Sequence, residues 1–281
     1  MNARLTNRPR SRALMLAAAA LFTLTAAPAA AQDRGDGDEE DRPSGRIVTI
    51  GIGAQAYPKF PGADDLGIYP MPIIGIRRAG RPVPLEAPDE GWGFGLFGDD
   101  SPIDIGPAIN FQRKRSEEDV GAPVGNVGRT IEVGGFVQTF LGENFRLRGE
   151  LRQGLGGHEG LVGDLGADVF VRGSGNTVFS IGPRLRWGDN DYMDSYYGVL
   201  PAVSTATGLA AFDPGSGIHS VGGAAGLQLD VGGGVSVHSY VRYDRLVNDA
   251  ADSPIVTGLG SRDQFGAGLG LSYSFRVGGR R

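Results

Sequence analysis

From Arg46 to Arg276 the chain repeats one pattern, in which apolar side chains alternate with polar or very small ones and turn residues break the run about every ten residues. The segment Gln264–Phe275 shows it most cleanly. Phe265, Ala267, Leu269, Leu271, Tyr273 and Phe275 fall on every second position, with only Gly and Ser between them. A strand turns successive side chains to opposite faces, so this segment has one apolar wall and one small or polar wall. A strand buried on both faces would instead read as a continuous apolar run. The apolar wall ends in aromatics, which suits a lipid-facing strand where it reaches the headgroups.

The same reading predicts strands near Arg46–Tyr57, Leu66–Arg78, Pro82–Ala87, Gly91–Phe97, Ser101–Gln112, Arg129–Phe140, Asn144–Gly154, Leu161–Arg172, Thr177–Trp187, Gly217–Asp230, Val235–Leu246 and Gln264–Arg276. No segment has a helical period of useful length, and Asp191–Tyr197 is expected to form one turn at most. Leu141–Glu143, Gly173–Asn176 and Val231–Gly234 read as tight turns, whereas Arg113–Gly128, Gly188–Ser216 and Val247–Asp263 are longer loops. A soluble sandwich also alternates. Outer-membrane barrels add strands of this length and this asymmetry, with short turns in the periplasm and long loops outside. The expected fold is therefore all-β: a transmembrane, antiparallel, up-and-down β-barrel of about twelve strands, with ten as the alternative. An even number puts both ends of the barrel in the periplasm.

Composition narrows the class. Apolar residues are 40% of the 281, too few for a bundle of membrane-spanning helices. Cysteine is absent, which removes disulfides, thiolate metal sites and a cysteine nucleophile. Met1–Arg12 is basic, Ala13–Ala27 is apolar, and Ala29–Ala31 precedes Gln32 in an A-x-A arrangement. Residues 1–31 thus read as a secretory signal peptide cleaved between Ala31 and Gln32. Residues 32–45 are acidic, with almost nothing apolar to bury, and read as a disordered periplasmic tail. The barrel is expected over 46–276, followed by a short basic tail, 277–281. Cleavage removes four arginines and no acid, taking the net charge from -5 to -9. That balance argues against nucleic-acid binding.

The polar faces carry the candidate chemistry. Arg146, Arg148, Glu150, Arg152, Asp164, Asp168, Arg184, Arg186, Arg242 and Asp244 all fall on positions that oppose the apolar wall, so a barrel would gather them in its lumen. Rings of arginine can select anions. Alternatively, the charges pair across strands and plug the lumen, and a barrel of this size is compatible with either. The long loops hold Asp191, Tyr192, Tyr196, Tyr197, Asp249 and Asp252, which could form an outward binding surface or fold back as a cap. His158, His219 and His238 lack metal-ligand spacing, and His238 should point inward beside Ser236 and within reach of Asp244. No G-x-S-x-G elbow, phosphate loop or cofactor motif is present. The expectation is a protein that is not an enzyme and holds no cofactor or metal.

Several stretches resemble one family. They are Gly53-Ala54-Gln55-Ala56-Tyr57-Pro58-Lys59-Phe60-Pro61-Gly62-Ala63-Asp64-Asp65, Asp191-Tyr192-Met193-Asp194-Ser195-Tyr196-Tyr197-Gly198-Val199, and Tyr243-Asp244-Arg245-Leu246-Val247-Asn248-Asp249-Ala250-Ala251-Asp252-Ser253-Pro254-Ile255-Val256. With the closing Tyr273-Ser274-Phe275 they are similar to the MipA/OmpV family of outer-membrane proteins, over about Arg46 to Phe275. The chain departs from the family in having Tyr197-Gly198 where Phe-Gly is common, and in the basic residues after Phe275. The aromatic-terminated last strand also resembles the signal that outer-membrane barrels present to their assembly machinery. The resemblance implies a barrel in outer-membrane lipid that scaffolds cell-wall enzymes, with a lytic murein transglycosylase and a penicillin-binding protein as partners. Other members are described as antigens, adhesins or porins, which keeps a small-solute pore and a surface adhesin as alternatives.

Overall fold

The computed structural model describes residues 45–97 and 101–278. The expected signal peptide, its Ala31–Gln32 cleavage point, nearly all of the acidic tail and most of the basic tail lie outside the described residues. The elements follow in order: β1 (Arg46–Pro58), β2 (Leu66–Arg78), β3 (Trp92–Gly93), β4 (Ile103–Gln112), α1 (Glu117–Val120), β5 (Thr130–Leu141), β6 (Phe145–Leu155), β7 (Leu161–Arg172), β8 (Val178–Gly188), α2 (Asn190–Tyr197), α3 (Pro201–Thr207), β9 (Gly217–Gly232), β10 (Val235–Leu246), α4 (Asn248–Asp252), α5 (Pro254–Leu259) and β11 (Asp263–Val277). The eleven strands form a single sheet in the order β2-β1-β11-β10-β9-β8-β7-β6-β5-β4-β3. Each neighbouring pair is antiparallel, and β1 lies against β11 from Arg46↔Val277 to Ala56↔Ala267.

Alternation turns this sheet inside out relative to a water-soluble protein. Ile52 is 71% exposed, Ile68 80% and Leu269 62%, whereas Arg146 and Asp168 on the other face are 1% exposed. In water such an exterior would be a severe liability, but it is what a hydrocarbon solvent requires. Backbone polar groups inside a bilayer must be satisfied within the chain, and ladders between long antiparallel strands do this.

Two features differ from the sequence expectation. The expected strand Pro82–Ala87 is absent, so the count among the described residues is eleven rather than twelve. Pro82, Pro84 and Pro88 have no N–H to give to a ladder. The segment instead crosses the interior, where the Val83 carbonyl accepts a hydrogen bond from Arg172 (2.8 Å) and the Leu85 carbonyl one from Arg146 (2.9 Å). Gly91–Phe97 shrinks to the two residues of β3 beside β4. The second difference is helical: four of the five short helices interrupt the two long loops, α2 and α3 before β9, α4 and α5 before β11. Asn190–Tyr197 makes eight helical residues, not one turn, because Asp189 caps the Tyr192 amide (3.0 Å) and the tyrosines find an apolar bed.

Glycines set the curl between β1 and β11. A Cβ at 270 would come within 3.1 Å of the Gly53 Cα and 2.8 Å of the Met71 Cε. The small inner wall of β11 thereby lets the β2 side chains lie across β1, which bends the sheet sharply. Gly270→Leu is expected to cost about 1–3 kcal/mol by overpacking, read as a smaller fraction of fast-migrating folded protein in unheated electrophoresis. Leu271→Ile, on the exposed face, should leave that fraction unchanged.

Candidate functional site

The interior is built from β5 to β8, each of which turns every second side chain inward. Arg146 of β6 donates to Asp168 of β7 (3.0 Å) and pairs with Glu90 of the interior segment. Arg184 of β8 grips Asp89 through Nε (2.9 Å) and Nη2 (2.9 Å), and reaches Asp168 (2.8 Å). Arg186 donates to Asp89 (3.1 Å) and Asp164 (2.9 Å) and pairs with Asp244 (2.7 Å). Arg148 holds Glu150 (2.7 Å) and lies over the Phe136 ring, 3.6 Å from its centroid. Arg152 donates to Glu132 (3.1 Å) and also pairs with Glu150 and Asp164, while Arg242 pairs with Asp244.

All ten lumenal charges expected from the sequence thus sit on inner faces and share one connected network. It also includes three carboxylates that sequence reasoning missed: Asp89, Glu90 and Glu132. Glu132 was visible in principle, because it alternates with Ile131 and Val133 on β5. Asp89 and Glu90 were not, because they follow a proline-rich stretch whose fate depends on what it meets. Paired arginine and carboxylate forks make charge-assisted hydrogen bonds that burial strengthens. The network therefore nails the chain from Leu85 to Glu90 across the lumen.

The end of the sheet opposite the tight turns is capped. Tyr192, Met193, Tyr196 and Tyr197 of α2 pack with Val127, Val162, Leu246, Ala250, Ala251 and Val256. A second cluster joins Phe60 and Ala63, between β1 and β2, to Val120, Val124, Val199 and Ile255. The three tyrosines proposed for an outward surface are thus turned inward, at 6%, 0% and 0% exposure. Burial pushes all three phenols above their usual pKa. Arg115 and Ser253 donate to the Tyr196 and Tyr197 carbonyls (3.1 and 2.7 Å), satisfying the helix end. Asp191, Asp249 and Asp252 remain exposed, with Asp252 paired to Arg262 (3.2 Å) and Asp249 accepting from the Gly215 amide (2.8 Å).

The histidines divide three ways. His158 is buried between Tyr192 and Tyr196 and meets Glu132 at 3.2 Å. His238 points inward, as the alternation requires, but its partner is the Ser272 hydroxyl (2.8 Å), not Asp244. His219 lies under Tyr192, with ring centroids 5.0 Å apart. Among the described residues, no three His, Asp or Glu side chains are grouped as a metal site would need.

Removing Arg146 would leave Asp168 to Arg184 alone (2.8 Å) and Glu90 to the more distant Arg148 (3.8 Å) in the interior. Arg146→Ala is expected to destabilise the folded barrel by about 3–5 kcal/mol, the usual result of breaking one side of a buried pair. Arg262→Ala, whose pair with Asp252 is exposed, should cost at most about 1 kcal/mol. Urea unfolding in lipid vesicles followed by tryptophan fluorescence measures both.

The Pseudomonas putida F1 COG4313 outer membrane channel shares 10% identity, with 85% of this chain and 100% of that one covered and a TM-score of 0.41. The outer membrane protein OprG from Pseudomonas aeruginosa gives 9%, 84%, 98% and 0.25, and OprD from the same organism 11%, 66%, 50% and 0.31. No curated protein sequence matches the chain. Residues 50–275 match the family profile described as MltA-interacting protein MipA. With its inverted sheet, lipid-facing exterior and this match over most of its length, the protein is an outer-membrane β-barrel, and it belongs to the MipA family.

Proposed function

We propose that the protein is a non-enzymatic outer-membrane scaffold that holds a murein transglycosylase of the MltA kind, and with it a penicillin-binding protein, at the periplasmic end of the barrel. The observation that carries this reading is the obstructed lumen. A pore selecting anions needs arginines facing an open path, and here Arg146, Arg148, Arg152, Arg184, Arg186 and Arg242 are all engaged by carboxylates. With its inner arginines so engaged, the barrel would present its ends to a partner. The adhesin reading is weakened by the burial of its tyrosines in the cap. The family description supports the choice of partner.

The tight turns leave little periplasmic surface, so the contact would fall on the rim and on the acidic stretch 32–45 that precedes β1. Arg46 stands opposite Arg78 across β1 and β2, Arg276 stands opposite Ile47, and all three arginines are exposed. Such a cluster at one end of a chain of net charge -5 offers an electrostatic handle for an acidic partner surface. Full-length protein in lipid nanodiscs is expected to bind an immobilised murein transglycosylase saturably by surface plasmon resonance. Replacing Arg46, Arg78 and Arg276 together by Glu should weaken binding at least about tenfold, more so at low salt. Absence of saturable binding by the wild-type protein contradicts the scaffold reading. Binding indifferent to the triple reversal removes the rim from it.

A further inference from the structure

The sheet has an unpaired seam. β2 carries Pro70 and Pro72 on one face, and its register with β1 runs without a bulge from Arg46↔Arg78 to Pro58↔Leu66. In an antiparallel ladder a residue directs both backbone groups to one neighbour, and the next residue directs both to the other. A proline cannot serve in a hydrogen-bonded pair, so Pro70 and Pro72 occupy the positions whose groups face away from β1. The missing donors lie on the outer edge of β2. The strand at the other end of the sheet, β3, is two residues long, and among the described residues no ladder joins it to β2.

Side chains span this seam instead. Arg113, immediately after β4, lies over the Tyr69 ring of β2 at 3.1 Å from its centroid and over Tyr57 of β1 at 4.9 Å. Such stacking is worth on the order of a hydrogen bond and can open without breaking backbone structure. Behind it is a cavity of about 820 Å³, whose wall includes Tyr57 of β1, Tyr240 of β10 and Tyr197 of α2. That volume is in the range of small-molecule sites.

A β-bulge shapes the far side of the cavity. The register of β8 with β9 shifts between Arg186 and Trp187, so Arg186 faces Ser220, Trp187 faces Ile218, and His219 is the extra residue. Consecutive residues of a regular strand point to opposite faces, but here His219 and Ser220 are both buried, at 6% and 2% exposure. The His219 Nδ1 and the Ser220 Oγ have no hydrogen-bond partner, and both residues line the cavity. The charged groups around them are already paired with one another. An ionic ligand would have to break those pairs, whereas a neutral one need only supply hydrogen bonds. Tyrosine walls, three idle polar atoms on Tyr197, His219 and Ser220 and a paired charge shell together select an uncharged, mostly apolar ring that carries a hydroxyl.

We propose that this cavity binds small neutral aromatic alcohols and exchanges them with the bilayer through the seam between β2 and β3, with Arg113 on Tyr69 and Tyr57 as its latch. The proposal is separate from the scaffold role, and its test uses no cell-wall partner. The probe is 1-naphthol, added to full-length protein in lipid nanodiscs and followed by energy transfer from the two tryptophans, Trp92 and Trp187. Saturable 1-naphthol binding is expected, with none for 1-naphthalenesulfonate. Ser220→Ala should weaken 1-naphthol about fivefold, the size of one lost hydrogen bond, and leave naphthalene unchanged. Because the chain has no cysteine, Tyr69→Cys with Arg113→Cys allows the seam to be closed by a bifunctional thiol reagent. Closure should slow uptake at least about tenfold, and reduction should restore it. Arg113→Ala alone should speed uptake severalfold and serves if the double variant does not fold. Equal effects of Ser220→Ala on naphthol and naphthalene overturn the hydroxyl site. Uptake insensitive to both closure and Arg113→Ala overturns the portal.

Discussion

Pairing of buried charge is the constraint on which the rest of this barrel depends. Lipid takes the apolar faces of the strands, so the polar faces have nowhere to go but inward, where a charge is costly unless it is paired. Arg146 of β6 stands directly opposite Asp168 of β7 and Arg186 of β8 directly opposite Asp164, and the remaining valences are filled by Asp89 and Glu90 from a segment that is not part of the wall. The interior is thus a three-sided arrangement of strand arginine, strand carboxylate and threaded carboxylate. Without the third party, Arg184 would keep only Asp168, and Arg146 would lose its second carboxylate. The obstruction of the lumen follows from the same pairing that makes the lumen stable.

The cap answers a different constraint. Long loops between strands carry helix ends and apolar side chains that must be buried somewhere. Here α2, α4 and α5 bury them against the upper ends of the strands and not against lipid. Tyr192 belongs to both regions: it packs in the cap, and its ring covers His219 at the top of the cavity. The bulge at His219 is the point where wall, cap and cavity meet.

Much of this was legible in the sequence, and what was not has a physical reason. Strand alternation is a local property, so β1, β2, β7 and β10 could be read nearly residue for residue, and with them the inward direction of Arg146, Arg184 and Arg242. The tight turns and long loops were legible for the same reason. Which charge meets which was not, because Asp89 and Arg184 are 95 residues apart and meet only where the proline-rich segment crosses the curled sheet. The prolines at 82, 84 and 88 did carry a signal against a twelfth strand, since three missing donors cannot be hidden in a short wall segment. The α2 tyrosines were seen as a cluster, but a run of Tyr and Asp reads alike whether the rings face water or a neighbouring apolar bed. Only the Val127, Leu246 and Val256 surfaces settle that they are buried.

The central claim is that residues 82–90, held by Arg146, Arg184 and Arg186, close an otherwise open barrel. Planar-bilayer recording of the purified full-length protein beside a variant with residues 82–90 replaced by a short Gly-Ser linker tests it most directly. The account predicts a silent wild-type protein and steady single-channel steps from the variant, with anion preference once Asp89 and Glu90 are gone. Steady conductance of the same size from both proteins would contradict it.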